Sequence, residues 1–156
     1  MSVNKWFVPV AIMSGLVLGL PAFAAEPHAH GDAGVIELQL DHGKKWQTDA
    51  PLRRGMGEIR AAMAKSLPPI HKKTFTPAQY GALAARVEKQ VVYMVGNCKL
   101  PEEADQQLHL VLAQINDGVD EMKGASDRDR GAEKIVRALA QYGQYFNHPG
   151  WRPLAH

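Results

Sequence analysis

The sequence predicts an all-α protein, an antiparallel up-and-down four-helix bundle with an N-terminal extended segment. Three observations carry this. Four stretches repeat apolar residues at about helical period, and each covers one face only. Each is bounded by residues that start or stop helices, and the links between them are short and polar. No strand-rich region or internal repeat competes with them.

Before the first helix lie two segments of other character. Residues 1–24 read as a signal peptide. Lys5 is the only charged side chain before Glu26, residues 7–20 are apolar, and Pro21-Ala22-Phe23-Ala24-Ala25 supplies an A-x-A cleavage site. The run is short for a bilayer span of about 20 residues. Export to the periplasm with cleavage after Ala24 or Ala25 is expected, leaving no membrane anchor. Residues 25–47 form a leader. Its first part, EPHAHGDAG, is small and polar, and residues 35–46 alternate Ile36, Leu38 and Leu40 against Val35, Glu37 and Gln39, as an extended segment laid on a core would.

The bundle is assigned to residues 48–156. Helix 1 starts at Thr48 or Asp49 as N-cap, with Pro51 in the first turn. Its seam is Leu52, Met56, Ile59, Met63, and Pro68-Pro69 is expected to end it. Helix 2 opens on a capping box, Thr76 with Gln79, around Pro77. Its seam runs Tyr80, Leu83 or Ala84, Val87, Val91, Met94, Cys98. Helix 3 follows Leu100-Pro101, with Glu102 and Glu103 where the helix dipole favours acids. Its seam is Ala104, Leu108, Val111 or Leu112, Ile115, Val119, Met122. The polar stretch GASDRDRG leads to helix 4, with seam Ala132, Ile135, Leu139, Tyr142, Phe146 and Pro149-Gly150 as terminator.

Charge and cysteine content exclude several functions. All 16 acids and 17 of the 18 Lys and Arg follow the signal, leaving a formal charge of +1 on the remainder. That is no nucleic-acid surface, and Lys44-Lys45, Arg53-Arg54 and Lys72-Lys73 read as solvated pairs. One cysteine forbids an intrachain disulfide although the compartment would permit one. G-x-S-x-G, H-E-x-x-H and C-x-x-C are all missing, and a cysteine at a helix C-terminus feels the end of the dipole that opposes a thiolate. The chain is therefore read as a non-enzyme.

The antiparallel topology gathers the start of helix 1, the end of helix 2, the start of helix 3 and the end of helix 4 at one end of the bundle. That end receives Met56, Met94, Cys98, His109 and, beyond helix 4, His148. Thiolate, thioether and imidazole together select soft or borderline metals, above all copper. The competing account is plain packing, since each methionine falls on a seam, where methionine is a common filler. His28-Ala29-His30 could add a weak accessory site. His42, His71 and His156 show no partner by spacing.

Signal, helix count and seam pattern resemble the periplasmic bundles of the cytochrome b562 and cytochrome c′ type over roughly residues 48–150, in architecture only. The c′ type attaches haem through C-x-x-C-H in its last helix, and VRALAQYGQYFNHPGW contains no cysteine, so covalent haem is excluded. For the b562 type the resemblance implies a non-covalent haem b held by a methionine early in helix 1 and a histidine late in helix 4, here Met56 and His148. The expected function is thus a periplasmic copper carrier, buffer or sensor centred on Cys98, with a metal ion and a periplasmic protein as partners. The alternatives are a b-type haem electron-transfer protein, and a non-metal interaction module whose Cys98 is core or joins a homodimer.

Overall fold

The computed structural model describes residues 37–154. The signal peptide, its cleavage site, His28 and His30, Val35, Ile36 and His156 lie outside the described residues.

The described chain is a four-helix bundle with a small strand clasp. The elements in order are β1 (Trp46–Gln47), α1 (Ala50–His71), α2 (Pro77–Asn97), α3 (Glu102–Lys123), α4 (Arg128–Tyr145) and β2 (Phe146–Asn147). Each helix packs on its sequence neighbour, and α4 closes back on α1. The expected seams form the core. Leu52, Met56, Ile59 and Met63 of α1, Met94 of α2, Ile115 and Met122 of α3 and Ile135 and Tyr142 of α4 are all fully buried. No buried residue is polar or charged among those described. The bundle is therefore held by apolar packing, with polar groups arranged at its two ends. Among the described residues no helix is long and apolar enough to cross a membrane.

The helix starts follow from local chemistry. Asp49 Oδ1 accepts from the Leu52 amide at 2.8 Å, satisfying a donor that the first turn of α1 leaves without an intrahelical partner. Thr76 and Gln79 form the reciprocal box at α2, with Gln79 N to Thr76 Oγ1 at 3.3 Å and Thr76 N to Gln79 Oε1 at 2.7 Å. Glu102, Glu103 and Asp105 occupy the first turn of α3.

Four expectations are corrected. Pro68 and Pro69 lie inside α1 rather than ending it. The missing proline amides lie in the last turn, the carbonyls of Pro68 and Pro69 still accept from Lys72 and Thr74, and Ile70 is anchored in the core, so the turn survives. Second, α4 begins at Arg128, so half of GASDRDRG is helical. Gly131 serves a helix crossing, because a Cβ there would come within 2.6 Å of the Gly118 carbonyl, and a Cβ at Gly118 would meet the Gly131 carbonyl at 2.6 Å. Third, Phe146 is buried as the seam required but has left the helix, and it pairs in β2 opposite Trp46. Fourth, the leader does not run straight through residues 35–46. Asp41–Lys44 form a tight turn with mutual hydrogen bonds of 2.8 Å, His42 and Gly43 both at positive φ, before β1 pairs in parallel with β2.

Candidate functional site

Five side chains were expected at one end of the bundle, and the structure sorts them into three environments. Met94, Cys98 and His109 line one open cleft of about 260 Å³ at the α2–α3 turn, with Val95, Lys99, Leu100, Asp105, Leu108 and Leu112. Met56 is fully buried in the core and lines none of the clefts described here. His148 lies past β2, in clefts shared with Trp151.

Cys98 is the C-cap of α2, where its amide donates to the Met94 carbonyl at 2.8 Å and its φ and ψ turn the chain toward α3. The thiol is half-buried. Its pKa is pushed up to about 12, by burial first, then by the Asp49 carboxylate and, more weakly, by Asp105. A free thiolate is therefore disfavoured, and a ligand that took this sulfur would have to displace its proton.

Met94 lies one turn before Cys98. Its thioether packs over Gly55 of α1, so closely that a Cβ on Gly55 would lie 2.6 Å from Sδ. The glycine is what lets this side chain reach the helix interface. His109 sits on the exposed side of α3, its side chain 63% accessible. Its Nδ1 lies 2.8 Å from the Asp105 carbonyl oxygen and 3.4 Å from the Asp105 carboxylate. A ring nitrogen facing a carbonyl oxygen must donate, so in the neutral ring the free lone pair is on Nε2.

Asp49 ties the parts together. One oxygen caps α1, while the other accepts from the Lys99 amide at 2.7 Å, just past Cys98. Arg53 donates to the Thr48 carbonyl and to Thr48 Oγ1, and that hydroxyl donates to the Asn147 carbonyl at 2.7 Å. The same end of the bundle thus joins the α1 start, the α2–α3 turn and the β1–β2 clasp.

His148 belongs to an aromatic cluster. Its Nδ1 lies 2.9 Å from the Tyr142 hydroxyl, and its ring meets Tyr142 edge-on at 5.8 Å and Trp151 at 4.9 Å. Burial, and secondarily the Arg53 charge, hold the imidazole below its ordinary pKa, so it is neutral at pH 7. Burial pushes the Tyr142 phenol up. Trp151 stacks on Gly143, where any side chain would collide with the indole.

Sequence reasoning missed Asp105, Arg53 and Trp151. Asp105 and His109 are four apart on a helix predicted correctly, so their contact was available from spacing. Arg53 and Trp151 were not, because the clasp that positions them joins residues about a hundred positions apart. Among the described residues, no group of three or more His, Cys, Asp or Glu side chains is placed to hold a metal ion. A metal site at the cleft therefore depends on the Met94 thioether. No protein-family model, curated protein or solved structure matches the chain.

Proposed function

We propose that the protein binds copper(I) in the Cys98 cleft and serves as a periplasmic carrier, buffer or sensor of that metal, not as an enzyme. One observation carries the reading: Cys98, Met94 and His109, from the end of α2 and from α3, line a single open cleft. Sulfur ligands with one imidazole suit copper(I), which accepts few ligands and favours soft ones. His109 would supply Nε2, held by the Asp105 contacts at Nδ1, in the manner of histidine ligands oriented by a carbonyl or carboxylate behind them. Met94 would turn its flexible thioether from Gly55 toward Cys98. Loading releases the thiol proton, so uptake is expected to strengthen as pH rises.

Val95 lines the cleft and, with Val92, leaves an apolar surface beside it, at 65% and 67% exposure. That surface suits brief contact with a protein that delivers or takes the metal. The periplasmic address rests on residues 1–24, and the HAH segment would be an accessory at most.

Anaerobic loading with one equivalent of copper(I), followed by X-ray absorption at the copper edge, tests the ligand set. Two sulfurs and one nitrogen are expected, with His109→Ala removing the nitrogen and Met94→Leu one sulfur. Each variant should weaken binding by about tenfold or more. A copper environment unchanged in both variants would overturn the assignment.

A further inference from the structure

The positive charge at the His148 end has no carboxylate partner. Every ion pair of a lysine or arginine among the described residues lies elsewhere, on Glu58, Glu88, Glu121, Asp127, Asp129 or Glu133. Lys45, Arg53, Arg60 and Arg152 take part in none of them. Lys72, Lys99 and Arg128, elsewhere in the molecule, form no ion pair among the described residues either, and it is the clefts that set the His148 end apart. Those at the other end of the bundle and at the α2–α3 turn each contain an aspartate or glutamate. The two that flank His148 and Trp151 contain lysine or arginine and no carboxylate.

The smaller of these two is a built pocket. It is lined by Gly57, Arg60, His148, Gly150, Trp151 and Arg152, and holds about 180 Å³. That is room for about six waters at about 30 Å³ each. Arg60 Nε donates to the Arg152 carbonyl, tying α1 to the segment after β2, and its guanidinium lies 6.0 Å over the Trp151 ring. The two Nη atoms of Arg60, the Arg152 guanidinium and His148 Nε2 have no hydrogen-bond partner among the described residues. Glycine forms two points of the rim, and a Cβ on Gly57 or Gly150 would meet nothing within 4 Å, so the pocket opens without a gate. Gly150 also holds φ at 77°, the left-handed turn that folds the segment back toward α1.

We infer that this pocket binds a phosphate group, with Arg60 and Arg152 as paired guanidinium donors and His148 Nε2 as a third contact. Two planar guanidinium forks match the several oxygens and double charge of a phosphate better than the single charge of a carboxylate. The site is separate from the Cys98 cleft and does not depend on the copper reading.

The test is titration of the ¹⁵N-labelled protein with inorganic phosphate at constant ionic strength, with chloride as the control, following the Trp151 indole and Gly150 amide signals. Saturable shifts are expected. They should weaken by about tenfold or more in Arg152→Gln, the usual effect of losing one charge-assisted hydrogen bond. Arg152→Gln keeps the tether to Arg60, because the tether uses the Arg152 carbonyl. A parallel arm measures sedimentation with phosphatidylglycerol vesicles against phosphatidylcholine vesicles. Binding only to the anionic vesicles, weakened by Arg152→Gln, would support phosphate recognition and assign it to a lipid headgroup. Linear, unsaturated shifts in phosphate with no vesicle binding would overturn the inference, and so would affinities unchanged in Arg152→Gln.

Discussion

The two ends of the bundle are closed by different chemistry. At the end holding the α1–α2 and α3–α4 links, Asp129 accepts from both Lys73 and Tyr80, and Arg130 pairs with Glu121 and Asp127. At the other end, Asp49 spends its oxygens on the backbone amides of Leu52 and Lys99 beside the Cys98 thiol, and the guanidinium groups of Arg60 and Arg152 form no ion pair among the described residues. The first end also opens into clefts, of about 600 and 620 Å³, but both are lined by Asp129 and Glu133, which are already ion-paired. The second keeps donors and soft ligands open to clefts, and there the functional readings belong. Apolar seams build the core of the shaft between them, with exposed ion pairs such as Arg86–Glu58 on its surface, so each end can be altered while the core stays intact.

The largest effect should come from the joint between α3 and α4. Gly131→Val places side-chain atoms against the Gly118 carbonyl and the Met122 amide, and backbone cannot retreat as a side-chain tip can. A loss of about 1–3 kcal/mol is expected, read as a lowered urea midpoint with unchanged slope. Full stability in that variant would mean the crossing is looser than described.

Next come the two aspartates, which set the ends directly against each other. Asp49→Ala should cost about 1–2 kcal/mol through the lost α1 cap. It should also speed alkylation of Cys98 by removing the carboxylate that opposes the thiolate. Asp129→Ala should destabilise without changing Cys98 reactivity. Equal alkylation rates in both variants would erase the distinction between the ends.

Their pH responses differ as well. Asp129 is held below its ordinary carboxylate value, by Lys73 first and Tyr80 second. Its contribution is present above that ordinary value and lost as pH falls through the lower native one. Cys98 is displaced upward, from 9.0 to about 12, so its contribution is present below pH 9.0 and lost as pH rises toward about 12. Both buried tyrosines also shift upward, so the alkaline limb of the wild type mixes several groups. Comparing wild type with Cys98→Ser isolates the thiol, and the variant should lose less stability over that interval. Parallel curves would show that the thiol does not feel its surroundings.

The smallest effect belongs to Lys73→Ala. The lysine side chain is 76% exposed, so the pair contributes little and salt weakens it further. Thermal melts at low and high salt should converge for wild type and variant.

What the sequence made legible was set by range. The seams, the Asp49 cap and the Thr76–Gln79 box depend on residues within a turn or two, and they appear as expected except at the seam ends, where Cys98 caps α2 and Phe146 has passed into β2. Pro68-Pro69 failed as a stop because anchoring of Ile70 in the core outweighs two amides missing from the last turn. Gly131 was read as loop because glycine looks alike in a turn and at a helix crossing. Met94, Cys98 and His109 could be placed together by topology, since α2 and α3 are joined by a short turn. The separation of His148 from them could not be read, because the β1–β2 clasp and the turn at Gly150 redirect the chain after α4, whereas the burial of Met56 is the plain packing its seam position allowed.

The central claim is that Cys98 anchors a copper(I) site. Anaerobic competition of the purified protein against a chromophoric copper(I) chelator measures it directly. Wild type should withdraw one equivalent of copper, and Cys98→Ser should withdraw none at the same chelator concentration. Equal competition by the two proteins would contradict the account.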